Sequence, residues 1–155
     1  MDFAAYPVVF VYRHALELNM KALVLGEGGN FLTIRPDPLT IHKTHSVCWL
    51  AQFVCQIVTA LGWQDEFRCK GIENLVEFKA FVEGMSSVDP GSYVFSLPED
   101  RDAEGPFSVP DFAQKMDALL DLLDLTAEAL AVELDVRSEV AEAEWQEGDV
   151  EPPIQ

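Results

Sequence analysis

The sequence predicts an all-α fold, an up-and-down bundle of four main helices with a small β-hairpin-like flap between helices three and four. Apolar residues recur at helical spacing in four separate stretches, and glycines or prolines fall at the ends of these stretches. With 155 residues, the chain is long enough for one domain with one substantial core. We therefore expect a single helical-bundle domain over residues 1–147 and a disordered acidic, proline-containing tail over residues 148–155.

The first predicted helix covers residues 4–27, and its proline at position 7 is tolerated because it falls in the first turn. Glycines at positions 26, 28 and 29 end this helix. Residues 30–43 contain two prolines and are expected to form an extended connector. Thr44 is a good N-cap for the second helix, which His45 opens and Gly62 closes.

The third helix is predicted over residues 72–85, and the flap follows it. In the flap, residues 89–91 are an Asp-Pro-Gly turn signal, and residues 92–97 are rich in the β-branched and aromatic residues typical of a short strand. The apolar residues expected on the buried side of the third helix are Leu75, Val76, Phe78, Phe81, Val82 and Met85.

The fourth helix is predicted to begin at residues 108–111, which resemble a capping box with a proline in the first turn. If it runs unbroken to Trp145, it has about 35 residues and a length of about 50 Å. Because it is longer than the other helices, they cannot cover its apolar end, and we expect two copies of the chain to form a two-fold dimer there. A break near Thr126 or Ala131 would instead fold the helix back on its own bundle. Its apolar positions are Phe112, Met116, Leu119, Leu123, Leu130 and Leu134, and the dimer surface is expected at Leu130, Leu134, Val140 and Trp145.

The net charge of −17 is concentrated in the C-terminal half of the chain. Residues 1–85 carry 7 basic and 9 acidic residues, whereas residues 86–155 carry 3 basic and 18 acidic residues. Such an acidic surface repels phosphate backbones, so direct nucleic-acid binding is not expected, while the nearly neutral N-terminal half remains open to anionic ligands. Without a long apolar run or the pattern of a signal peptide, the chain is expected to be cytoplasmic, with no membrane partner.

The candidate site is a group of ionisable residues on one flank of the first helix. Arg13, Glu17 and Lys21 follow one another at a spacing of four residues, and His14 shares their flank. His45 is expected to lie against them when the second helix packs on the first. A histidine beside a carboxylate can act as a general base, and a lysine or arginine can hold an anionic oxygen. Two interpretations stay open: a ligand site, or ordinary ion pairs on a helix surface.

Other kinds of site are less well supported by the residues. The chain has no second carboxylate–histidine pair of the kind used by metal sites in bundles, so no metal site is predicted. Arg35 and His42 match a loose ribonuclease pattern, but two prolines lie between them. Neither a glycine-rich phosphate loop nor a nucleophile elbow is present, so we predict no catalytic residues and no cofactor.

Three segments carry a resemblance to a known family. They are residues 12–18 with Lys21, His45 followed by Trp49, and residues 87–95. Together they resemble a group of uncharacterised bacterial helical proteins with a Tyr-Arg-His-x-x-Glu-Leu-x-Leu-Lys helix and an aspartate-proline turn before an Arg-Tyr-Pro strand. That group is similar to the HEPN superfamily of helical bundles, whose members include nucleotide-binding proteins and ribonuclease toxins. The resemblance covers about residues 6–125.

Two departures from the family pattern affect what the resemblance implies. Residues 96–98 are Ser-Leu-Pro where the group has Arg-Tyr-Pro, so a positive charge expected on the flap is missing. The ribonuclease motif of active HEPN proteins lies on a late helix, whereas the last helix here contains no histidine. The RNA-cleaving chemistry of the superfamily is therefore expected to be absent or relocated.

The resemblance and the residues together predict an intracellular, non-catalytic binding module of HEPN-like type. Its ligand is predicted to be a nucleotide or another anionic small molecule, and family analogy suggests a defence or stress system. One alternative is a metal-independent ribonuclease that uses Arg35 and His42, or Arg13 and His14. The other is an acidic interaction partner or antitoxin that masks a basic protein surface.

Overall fold

The structure is a computed structural model that describes residues 5–86 and 108–148, with side chains from residue 7 to residue 145. This part of the chain is helical and contains no β-strand; an isolated antiparallel bridge joins Cys69 and Ile72. The all-α prediction is confirmed. In chain order the elements are α1 (Ala5–Leu25), a 3₁₀ helix (Glu27–Phe31), α2 (Pro38–Lys43), α3 (Val47–Leu61), α4 (Leu75–Ser86) and α5 (Val109–Gly148).

Helix α1 occupies the centre of the packing. It contacts α5 and α3, and α3 in turn contacts α4, while the 3₁₀ helix touches α1, α3 and α5. The predicted flap at residues 87–107 lies outside the described residues, and so does the predicted tail at residues 148–155 except for Gly148, which is the last residue of α5. The up-and-down order of the bundle stays a prediction. The core is built from side chains of all four long helices, including Leu16, Met20, Leu50, Ile57, Phe78, Met85, Met116, Leu119 and Leu123.

Residues 30–43 are not an extended connector as predicted, because the 3₁₀ helix and α2 occupy much of this stretch. Helix α2 begins with Pro38, where the missing N–H costs nothing, since the first turn of a helix leaves its N–H groups without helical partners. Asp37 caps it: the carboxylate accepts a hydrogen bond from the backbone N–H of Thr40 at 2.9 Å. The two prolines therefore mark a helix start rather than prevent a helix.

The predicted start of the second helix is wrong by two residues. Thr44 ends α2, where its N–H donates to the carbonyl of Thr40 at 3.0 Å. The N-cap of α3 is Ser46, whose hydroxyl accepts from the N–H of Trp49 at 3.2 Å. His45 consequently lies in a short break between two helices and does not open a helix.

The glycines after α1 do more than end it. Gly28 and Gly29 are buried within the 3₁₀ helix. A Cβ atom on Gly28 would lie 2.5 Å from the carbonyl oxygen of Leu23 and 2.8 Å from a side-chain carbon of Ile57. Glycine at this position lets the 3₁₀ helix pack closely against both α1 and α3.

The third predicted helix is confirmed as α4, although it begins at Leu75 rather than at Ile72. Asn74 accepts hydrogen bonds from the N–H groups of Val76 and Glu77, both at 3.0 Å, and so fixes the start. Val76 was expected on the buried side but is 77% exposed. At 100° per residue it faces away from the buried stripe, which consists of Phe78, Phe81, Val82 and Met85.

Helix α5 is unbroken over 40 residues, nearly twice the 21 residues of α1. It begins where the sequence predicted, since the hydroxyl of Ser108 accepts from the N–H of Asp111 at 3.3 Å. The helix is about 60 Å long at 1.5 Å per residue. From position 135 to position 145 every side chain is exposed, so this end of α5 extends beyond the packed core.

Candidate functional site

Two side chains of α1, Glu17 and Lys21, form a buried ion pair that lies against the segment joining α2 to α3. Glu17 is 2% exposed and Lys21 is 8% exposed, and the Lys21 ammonium lies 2.8 Å from the Oε1 atom of Glu17. The two residues are one helical turn apart, which brings their side chains together. The ammonium also donates to the backbone carbonyl of His42 at 3.1 Å. The lysine charge is therefore matched by a carboxylate and a carbonyl at once.

His45 and Arg13 extend this group outward. The Nδ1 atom of His45 lies 3.1 Å from the same Oε1 atom of Glu17, although the imidazole side chain is 78% exposed. The guanidinium of Arg13 donates to the backbone carbonyl of His45 at 3.0 Å. Three side chains of α1 thus fasten the chain between α2 and α3. We call Arg13, Glu17, Lys21, His45 and the His42 carbonyl the junction network.

Glu17 is held in its ionised form by its neighbours. Burial raises the pKa of a carboxyl group because it removes water from the charged form. Here the hydrogen bond and charge of Lys21, with a smaller contribution from His45, outweigh burial and hold the pKa of Glu17 below its ordinary value. The buried carboxylate is therefore charged at neutral pH, and its charge is balanced within the junction network.

The predicted contact between Glu17 and His45 is present, whereas Lys21 bonds to Glu17 and to the His42 carbonyl. The structure also shows that ordinary ion pairs on a helix surface are the wrong description, because the Glu17–Lys21 pair is buried and Arg13 bonds to a carbonyl instead of Glu17. His14 is exposed and, among the described residues, makes no hydrogen bond or ion pair. The sequence reasoning missed His42, which acts through its backbone carbonyl and so leaves no side-chain signal.

The junction network is chemically self-contained. Among the residues that the structure describes, no buried side-chain nitrogen or oxygen lacks a hydrogen-bond partner. An anionic ligand at Lys21 would compete with the Glu17 carboxylate for the ammonium, and Glu17 would then lose the main partner of its buried charge. A histidine beside a carboxylate is half of a general-base arrangement, but within residues 5–86 and 108–148 no serine, threonine or cysteine side chain bonds to the His45 ring. The geometry fits a structural role.

The other residues considered as catalytic are not assembled into a site. Arg35 lies before α2 and donates to the carbonyl of Leu25 at 3.4 Å, while the His42 side chain is exposed on α2. No hydrogen bond joins Arg35 to His42 in the part of the chain that the structure describes. The described residues also contain no group of three or more histidine, cysteine or acidic side chains placed to hold a metal ion.

An open groove of about 560 Å³ lies beside the 3₁₀ helix and α3, and sequence reasoning did not anticipate it. Its lining includes Phe31, Gln52, Thr59 and Lys79. Cys55 also faces it, but burial raises the pKa of this thiol despite the nearby charge of Lys79, which disfavours the nucleophilic thiolate. None of the predicted site residues lines the groove.

No protein-family model, curated protein or solved structure matches this chain. The resemblance to the HEPN superfamily therefore depends only on the motifs quoted above. Within the described ranges, no helix is both long enough and apolar enough to cross a membrane.

Removal of Lys21 alone should destabilise the protein more than removal of the whole pair. Lys21→Met leaves Glu17 buried without its main partner, so we expect the free energy of unfolding to fall by about 3 kcal/mol. The double variant Glu17→Leu with Lys21→Met should recover most of this loss, because no uncompensated charge remains buried. Urea unfolding of the wild type, both single variants and the double variant measures the coupling.

The exposed pair Glu133–Arg137 provides a control with the same spacing of four residues and the same atom separation of 2.8 Å. Arg137→Met removes this pair and the contact of the guanidinium with the Phe31 ring, and it should still cost only about 1 kcal/mol, since exposed ion pairs and exposed cation–π contacts each contribute little. Equal losses for Lys21→Met and Arg137→Met would contradict the burial argument.

The contribution of Glu17 to stability should disappear in acid. Its pKa is lower in the folded chain than in the unfolded chain, so its stabilisation is complete above the ordinary glutamate pKa and is lost as the pH falls through the folded value. The difference in unfolding free energy between wild type and Glu17→Gln should therefore be largest near pH 7 and shrink below about pH 4. Urea unfolding across this range, with Glu133→Gln as the exposed control, tests the sign. A difference that does not change with pH would refute it.

Purified protein should not cleave single-stranded RNA in the absence of metal ions. The expectation follows from the separate positions of Arg35 and His42 and from the absence of histidine in α5. Incubation with a labelled single-stranded RNA in the presence of a chelator tests it. Cleavage that both Arg35→Ala and His42→Ala abolish would establish the ribonuclease alternative instead.

Proposed function

We propose that this chain is a non-catalytic helical binding module whose ligand is another polypeptide, docked on the outward face of α5. This is the interaction-protein alternative of the sequence analysis, set on a HEPN-like up-and-down four-helix bundle. The observation that supports this proposal is a row of exposed apolar residues on that helix. We define it as the outer stripe, which consists of Leu125, Ala129, Val132, Val136 and Val140.

The outer stripe is apolar, exposed and continuous along the helix. Leu125 is 61% exposed, and Val132, Val136 and Val140 are 63%, 50% and 53% exposed. Successive members are three or four residues apart, so they share one side of the helix over about 22 Å. The buried residues Leu123 and Leu130 face the core from the opposite side. An apolar row of this kind on a protein surface is typical of an interaction site.

The shape of the outer stripe favours a polypeptide over a small molecule. Sites for small molecules are concave and bury most of the ligand, whereas a helix side is convex. A second helix can lie along such a row and cover residues at this spacing. The predicted anion site is a weaker candidate because the charge of Lys21 is already balanced by Glu17.

A second copy of this chain is one polypeptide that the outer stripe could receive. Only part of the dimer surface that the sequence predicted is available. Leu130 is fully buried in the core and Leu134 is partly buried, whereas Val140 and Trp145 are exposed. A homodimer would therefore form through the outer stripe. The cytoplasmic location remains part of the proposal through the sequence pattern alone, and the role in defence or stress through the HEPN resemblance alone.

Substitution within the outer stripe should abolish polypeptide binding without unfolding the chain. Val132→Ser with Val136→Ser removes exposed methyl groups from α5, and Val76→Ser removes them from the exposed face of α4. We expect the wild type and Val76→Ser to behave alike: each should either form dimers, measured by light scattering, or bind an amphipathic helical peptide. The stripe variant, Val132→Ser with Val136→Ser, should do neither. Amide NMR spectra recorded during a peptide titration should show shifts concentrated between positions 125 and 143.

A chain that stays monomeric at low and high salt and binds none of the helical peptides would end the proposal. Peptide binding that is unchanged in the stripe variant would place the docking surface elsewhere and would have the same consequence.

A further inference from the structure

The outer stripe has an acidic border on one side. Asp124, Glu128, Asp135 and Glu139 each stand one residue before a member of the stripe, which places them in a row along one flank of α5. All four side chains are exposed. We call these four residues the acidic row. None of the four forms an ion pair with a lysine or arginine of the described residues.

The surrounding helix offers little positive charge to balance the acidic row. Residues 121–145 contain eight acidic residues and one basic residue, a net charge of −7. The basic residue, Arg137, is already engaged, because its guanidinium pairs with Glu133 at 2.8 Å and lies 5.0 Å from the centre of the Phe31 ring. The acidic row therefore faces outward with its charge uncompensated.

We propose that the occupant of the outer stripe is a basic amphipathic helix of another protein, with its apolar side on the stripe and lysines or arginines against the acidic row. This inference rests on the proposed function and specifies its partner. A partner helix packed on the stripe places its flanking side chains within a few ångströms of the acidic row, well inside the screening distance of about 8 Å at physiological salt. Opposite charges on the flank then favour association and select the partner.

A second copy of this chain is disfavoured by the same charges. Two outer stripes packed together would bring a net charge of −7 on one helix against −7 on the other. The like net charges of the two helices oppose such a dimer, as like charges do between the helices of a coiled coil. A helix with a basic flank meets no such repulsion.

The inference can be tested with three synthetic helical peptides of about 20 residues, each about 30 Å long and carrying the same leucine and alanine stripe. Their flanks carry lysine, glutamine or glutamate. Fluorescence anisotropy of each labelled peptide is measured against the full chain at low and high salt. At low salt the lysine peptide should bind about tenfold or more tightly than the glutamine peptide, and the glutamate peptide should bind most weakly. The advantage of lysine should shrink as salt is added.

Two sets of variants separate the contributions of the stripe and the row. Neutralising the acidic row should remove most of the difference in affinity between the lysine peptide and the glutamine peptide. The stripe variant, Val132→Ser with Val136→Ser, should weaken binding of both peptides about tenfold. A control with the same charge change away from α5 should leave the lysine advantage intact. The row variant is Asp124→Asn, Glu128→Gln, Asp135→Asn and Glu139→Gln, and its control is Asp65→Asn, Glu66→Gln, Glu73→Gln and Glu83→Gln.

Each contrary result has a distinct meaning. Equal affinity for lysine and glutamine peptides overturns the basic partner while the polypeptide-binding function stands. A stripe-dependent dimer that excludes the lysine peptide assigns the surface to a second copy and likewise overturns the inference. Lysine-peptide binding that survives the stripe substitutions shows general attraction to an acidic protein and also overturns it. Absence of both peptide binding and dimer formation removes the proposed function together with the inference.

Discussion

The buried ion pair between Glu17 and Lys21 is the constraint on which the arrangement around α1 depends. A charge removed from water must be matched, and the two residues match each other one helical turn apart. The same pair binds the His42 carbonyl and the His45 ring, so it fixes the chain at the end of α2 and just before α3. The junction network thereby sets where α3 begins to pack on α1, and α4 packs on α3 in turn.

This constraint explains why a group of residues that resembles a ligand site is better understood as a structural support. A binding site needs donors or acceptors that remain free for the ligand, whereas Lys21 already contacts a carboxylate and a carbonyl. The accessible part is His45, whose ring lies at the surface. The junction network stabilises the packed core, and the uncovered apolar surface lies elsewhere, along the outward side of α5.

Helix α5 has two different sides along one continuous element. Its inner side, with Met116, Leu123 and Leu130, completes the core against α1. Its outer side carries the outer stripe and the acidic row, and its end extends beyond the residues that cover the inner side. Because the helix is a rigid rod anchored by its first half, its second half can present a fixed surface without a loop to position it. This half also carries most of the negative charge of the helix, which opposes association with acidic surfaces.

The sequence by itself determined the all-α class, the start of α5 and the placement of Glu17 and Lys21 one helical turn apart, since periodicity, caps and spacing are local properties. Tertiary structure alone decided the burial of the ion pair, the role of the His42 carbonyl and the exposure of Val76. It also placed Leu130 in the core and left Val132 uncovered, although both fit a helical apolar pattern. The physical reason is that burial depends on which neighbouring helix covers a given side, and a helix with apolar residues on two sides does not encode that choice locally.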